Sequence, residues 1–171
     1  MKGRAALEAH LDRYWKLEAL NIPLLTGTML LLARGQVGGP ALLGLVAMNG
    51  VLAIGAVYWR AKRKQLAGDR APLRCALPWM AALQTPTAIV VAASALVAIA
   101  AWSWPEMSVG LADRVVASVA ATMAVLEYVN YFHRQLQHFD QRADWARLMS
   151  GRGFRRSWLS RDLAAHRRRR A

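Results

Sequence analysis

Val115–Phe132 reads VVASVAATMAVLEYVNYF, and His133–Met149 reads HRQLQHFDQRADWARLM. The first part is apolar apart from Glu127 and Asn130 near its end. Counted from Leu111 it is a helix of about 33 Å at 1.5 Å per residue, enough to cross a hydrocarbon core of about 30 Å. The second part is charged and aromatic and belongs outside that core. A helix that crosses a bilayer and emerges among arginines therefore sets the frame for the rest of the chain.

Working outward, the same pattern recurs. Apolar residues are 56% of the 171, and they collect in four blocks near 17–33, 41–59, 79–103 and 111–132. Each approaches the 20 or so residues a spanning helix needs, the first being the shortest. GQVGGP at 35–40 and WPEMSVG at 104–110 are turn signals, too short to hold a domain, so the blocks pair into two hairpins. RAKRKQLAGDRAPLRCALP at 60–78 reads as a longer charged loop between them. The expected fold is all-α: an integral membrane four-helix bundle of two helical hairpins over 17–132, with amphipathic cytoplasmic helices at both ends.

Charge supplies the orientation. A formal charge of +13 would suggest nucleic acid in a soluble protein. Here the cations avoid the four blocks and gather on one side. Residues 1–16 hold four Lys+Arg, 60–78 hold six and 133–171 hold eleven, leaving only Arg34 and Arg114 of the 23 for the other side. The positive-inside rule puts both termini and the middle loop in the cytoplasm. Trp15, Trp59 and Trp79 fall at the predicted inner ends, and Trp102 and Trp104 at an outer end, where indole prefers the interface. The alanine and arginine bias suits a GC-rich bacterial genome, so the expected location is a bacterial inner membrane. Lys2, Arg4, Glu8, His10, Asp12 and Arg13 precede any apolar run, so the start does not read as a cleavable signal. The single cysteine, Cys75, leaves no disulfide within the chain.

Residues 1–16 read as a short amphipathic helix in the headgroup layer, with Leu7, Leu11, Tyr14 and Trp15 roughly on one face. Small residues at helical spacing mark the expected helix contacts: Gly44, Ala47, Gly50 and Ala53; Ala88 and Ala92, then Ser94 and Ala98; Ala117 and Ala121 with Ala120 and Ala124. Ala19-Leu20-Asn21-Ile22-Pro23 and Ala82-Leu83-Gln84-Thr85-Pro86 begin alike, which suggests that the hairpins are parallel copies; chance in an alanine- and leucine-rich chain is the rival. Past Phe132 the stripe Leu136, Phe139, Ala143, Ala146 predicts that the fourth helix continues, to be broken at Gly151 and Gly153. Ser157 or Ser160 then caps a last short helix.

Glu127 is the sharpest chemical candidate, about 8 Å inside the inner edge at 1.5 Å per residue. A carboxylate there costs a few kcal/mol unless paired or protonated. On a continuing helix Asn130, Tyr131 and Arg134 follow at i+3, i+4 and i+7 along one face. Asn21 and Gln84 lie at similar depth on other helices and Asn49 lies deeper. Pro23 and Pro86 free the carbonyls of Ala19 and Ala82. Glu127, Asn130, Tyr131, Arg134, Asn21, Gln84 and Asn49 therefore form a candidate polar pocket. The bland alternative is hydrogen bonding from helix to helix, at about 0.6 kcal/mol each.

No cofactor and no metal are expected: His133 and His138 fall on different helix faces, and His10 and His166 are isolated. The tail interleaves Phe154, Trp158 and Leu159 with Arg152, Arg155, Arg156 and Arg161 and ends in Arg167–Arg170. Such a pattern suits single-stranded nucleic acid or anionic lipid. Tethered beside a membrane it favours lipid, at about 1 kcal/mol per basic residue. Arg152, Arg155, Arg156, Trp158, Arg167 and Arg168 are the expected headgroup contacts. Three functions compete: a non-enzymatic accessory or scaffold component contacting lipid or a protein partner, an oligomeric transporter or channel using Glu127, and a membrane enzyme on a lipid substrate. No nucleophile motif or phosphate loop is present to favour the last.

Overall fold

The computed structural model describes residues 2–136, 149–151 and 153–169. Within them the chain is all-α: α1 (Lys2–Leu32), α2 (Gly39–Leu66), α3 (Ala71–Ser103), a 3-10 turn at Pro105–Met107, α4 (Leu111–Phe132) and α5 (Trp158–Arg168). Three of these, α2, α3 and α4, are long and apolar enough to cross a membrane. The second half of α1 is diluted by Glu18, Asn21, Thr26 and Thr28, and α1 is not among the three.

The helices outrun the apolar blocks at the basic end. Residues 60–78 are not a loop: α2 continues through Arg60–Leu66 and α3 starts at Ala71, leaving only 67–70 between them. Arg, Lys, Gln and Leu are good helix formers, so the helix does not stop where the apolar run stops. It stops at Gly68, whose φ of +106° suits glycine, and α3 restarts with Pro72 in its first turn. In the same way residues 2–16 are not a separate helix. No breaker lies between Lys16 and Leu17, and α1 runs on without interruption.

α2 sits innermost, packed against α1, α3 and α4, while α3 and α4 also pack together. Gly44 lets α2 approach α4 closely: a Cβ there would lie 3.1 Å from Ala120 Cβ and 3.2 Å from the Ala117 carbonyl. Ala117, Ala120, Ala121 and Ala124 are all buried, as their spacing predicts. The α2 and α3 stripes hold only in part. Gly44, Ala47, Ser94 and Ala98 are buried, but Gly50, Ala53 and Ala92 face outward. A row at every third residue drifts around a 3.6-residue helix, and nine residues carry it to the opposite face. The buried face of α2 instead follows Gly44, Met48, Val51, Gly55 and Tyr58.

The fourth helix ends at Phe132 rather than continuing. His133 leaves helical geometry (φ −129°, ψ −74°), and Arg134 pairs with Arg156 in an antiparallel bridge. Gln135 N–H donates to the Arg155 carbonyl at 2.9 Å, and Ser157 N–H to the His133 carbonyl at 3.1 Å. The stripe at Phe139, Ala143 and Ala146 lies outside the described residues. α5 is capped by Ser157, whose hydroxyl accepts from Ser160 N–H at 3.1 Å. It packs on α3 and α4 with Leu159 and Leu163 buried.

Candidate functional site

Apart from Ser94 of α3, whose hydroxyl donates to the Val91 carbonyl of its own helix at 2.8 Å, the buried polar groups among the described residues fall into two sets at opposite ends of the helices. At the basic end, Tyr131 of α4 lies across α2 at Gly55, where a methyl group would clash with the hydroxyl-bearing edge of the phenol ring. That crossing carries its hydroxyl to the Glu18 carboxylate of α1, within electrostatic reach of Glu127 and Tyr14. The hydroxyl and one Glu18 oxygen are buried without a hydrogen bond of full geometry among the described residues. Asn130 Nδ2 donates to Glu127 Oε2 at 3.2 Å, and its Oδ1 accepts from Leu136 N–H at 2.8 Å. Asn130 thus ties the carboxylate to the segment that follows the helix.

The tail closes over this cluster. The Ser157 hydroxyl donates to the Tyr131 carbonyl. Asp162 of α5 accepts from Tyr58 Oη at 2.9 Å and Lys62 Nζ at 2.7 Å on one oxygen. The space among Tyr14, Tyr58, Asn130, Tyr131 and Ser157 is about 10 Å3, at or below what one water needs.

Of the residues singled out from sequence, Glu127, Asn130 and Tyr131 meet here. Arg134 does not join them: the helix has ended, and its guanidinium donates to the Phe154 carbonyl at 3.1 Å. Gln84 faces the tail, its side chain accepting from Arg167 at 2.7 Å and its carbonyl from Tyr128 Oη at 3.3 Å. Asn49 pairs with Thr26 at 2.8 Å between α1 and α2, deeper in the apolar region. Asn21 stands three residues beyond Glu18 on α1, half-buried. In the tail, Arg156 Nε donates to Ser160 Oγ at 2.8 Å. Trp158 is exposed, with the Arg161 guanidinium 4.0 Å from its ring centroid and Lys62 at 5.6 Å. Arg155 and Arg168 are exposed, and Arg152 lies outside the described residues.

Two acids escaped the sequence reading, Glu18 and Asp113. Both interrupt apolar blocks, which is the signal that would have found them. Asp113 is fully buried at the other end and accepts from Gly38 N–H at 2.9 Å and from Ala41 and Val109 N–H at 3.2 Å each. It ties the α1–α2 turn to the α3–α4 turn and places a negative charge at the N-terminus of α2, where the helix dipole favours it. Arg114 beside it stacks 5.3 Å over Trp102, whose indole donates to Ser118 at 2.9 Å.

Comparison with known proteins found no matching family model, no similar curated protein and no similar solved structure.

Proposed function

We propose that the chain is a small polytopic protein of a bacterial inner membrane, a non-enzymatic accessory or scaffold component whose basic end faces the cytoplasm. In this reading α1 is a fourth span, and α1–α2 and α3–α4 form the hairpins of a four-helix bundle. The outward faces support it: Leu17, Leu20, Leu24 and Leu31 of α1, and Ile89, Leu96 and Ile99 of α3, are exposed apolar side chains that lipid would cover. The observation that carries the functional reading is the fixing of α5 beneath the helices by Asp162, Ser157, Leu159 and Leu163. A tail held in this way presents arginines as a rigid platform to anionic headgroups or a protein partner.

A second reading, an oligomeric transporter or channel, is favoured by one observation: two carboxylates, Glu18 and Glu127, converge on one buried phenol at membrane depth. Proteoliposomes separate the two. Liposomes carrying the scaffold protein hold an imposed proton or sodium gradient as long as empty ones do. A faster decay that Glu127→Gln abolishes would replace the scaffold reading with transport. Reporters fused at 35–40 and after Ala171 test the orientation, with the C-terminal one expected inside.

A further inference from the structure

On the outward side of α3 and α4 runs an open groove of about 390 Å3, within the range of about 300–1,000 Å3 typical of small-molecule sites. Buried Ala98 and Ala121 form its floor, and Ile99, Val125 and Leu126 stand exposed along it. From Ser118 to Leu126 it follows α4 for about 12 Å at 1.5 Å per residue. One leaflet contributes about 15 Å to a hydrocarbon core of about 30 Å, so the groove has the length of a single leaflet. Trp102 closes the end nearest the α3–α4 turn. Its indole is fixed by donating to Ser118 Oγ at 2.9 Å, and the Arg114 guanidinium lies 5.3 Å from its ring centroid. Among the described residues Arg114 forms no ion pair, and no carboxylate lines the groove.

We infer that this groove holds one acyl chain of a phospholipid from the leaflet at the α3–α4 turn, with the lipid phosphate on Arg114. The inference rests on the membrane reading above and adds a defined lipid site at the end of the helices remote from the arginine tail. Depth selects the occupant first. The groove lies within the apolar lengths of two helices that can cross a membrane, where acyl chains are the surrounding solvent. Its mouth falls at Trp102, with Trp104 beside it, and indole marks the depth of headgroups. Charge selects it next. Arg34 and Arg114 are the only Lys or Arg at that end, and a guanidinium matches a phosphate with its planar fork. A second copy of the chain fits the groove less well. A two-fold axis along the membrane normal would bring two Arg114 guanidiniums to the same level on one seam, where like charges repel strongly in a medium of low dielectric.

The test uses the full chain in mild detergent, with native mass spectrometry and thermal unfolding against dioleoylphosphatidylglycerol, dioleoylglycerol and glycerol phosphate. The expected result is a retained phosphatidylglycerol and a saturable rise in unfolding temperature, neither reproduced by the probe without a phosphate or the probe without chains. Arg114→Gln weakens that retention tenfold or more. Arg34→Gln, at the same end but off the groove, and Arg168→Glu, in the tail, each leave it within twofold. Thr122→Trp fills the groove from an exposed position and abolishes retention without changing unfolding in lipid-free detergent. Val119→Trp, exposed on the same helix but outside the lining, keeps the lipid. Equal retention of dioleoylglycerol, equal binding of glycerol phosphate, or a loss in Arg168→Glu that Arg114→Gln does not show would each overturn the inference. So would a dimer that Thr122→Trp splits, since a second copy would then be the occupant. A chain that inserts into liposomes yet retains no phosphatidylglycerol removes the groove alone; a chain that fails to insert removes the membrane reading itself.

Discussion

Tyr131 occupies the space that a side chain at Gly55 would fill. The missing Cβ on α2 is thus what lets a residue of α4 reach Glu18 of α1. Gly55→Ala should destabilise the protein by about 1–3 kcal/mol through overpacking, and Gly55→Val by more. Combined with Tyr131→Leu, the loss should fall well short of the sum, because contacting residues couple. Thermal unfolding in detergent measures this, and strict additivity would contradict the contact.

Glu18 and Glu127 both stand within electrostatic reach of the Tyr131 hydroxyl. Glu18→Gln and Glu127→Gln should therefore not be independent: a double-mutant cycle should give a coupling of about 0.5–3 kcal/mol. Tyr131→Phe, made in both backgrounds, should shrink it. A coupling near zero would mean that the two acids sit in separate surroundings.

Asp113 satisfies three backbone N–H groups from two turns. Asp113→Ala strands those donors in a buried place, at about 1–3 kcal/mol for each one left unsatisfied. Asp113→Asn keeps one acceptor oxygen and should cost less. Hydrogen exchange should show the change first at Gly38 and Val109, at the end remote from the tail.

Asp162 anchors α5 to α2. Asp162→Ala leaves Lys62 and Tyr58 without their acceptor, and protease sensitivity within 158–168 should rise several-fold while α2–α4 stay protected. Tyr58→Phe removes one of the two donors and should loosen the tail less. If α5 stays equally protected in Asp162→Ala, its apolar contacts through Leu159 and Leu163 hold it unaided.

Asp12, outside the spans, is held below the usual carboxylate range, first by the hydrogen bond from Lys16 (2.6 Å), then by that from Trp15, with Arg63 adding attraction. A depressed folded-state value means the contribution is present above the ordinary carboxylate pKa, about 3.9, and is lost as pH falls through the lower folded value. The Arg63–Asp12 contact between α1 and α2 (3.1 Å) should accordingly persist at pH 6 and down to the ordinary carboxylate value, and open only as pH falls through the lower folded one. A spin-label distance between the two helices reads it. High salt should weaken the contact at pH 6, because an exposed pair is screened.

Hydropathy and charge along the chain were enough for the all-α class, three of the long apolar helices, both short turns and a serine cap at 157 or 160, of which the structure uses Ser157, because each depends on neighbours a few residues apart. Helix ends were misread at Trp59, Trp79 and Phe132. At the first two, good helix formers carry the helix past the apolar run. At Phe132, pairing with the distant segment 155–157 competes with one more helical turn. The meeting of Glu18, Gly55 and Tyr131, the separation of Asn49 and Gln84 from them, and the return of α5 onto Asp162's partners were settled by packing alone. Sequence spacing orders residues along one helix, but which faces of three helices meet depends on where a single missing Cβ allows close approach.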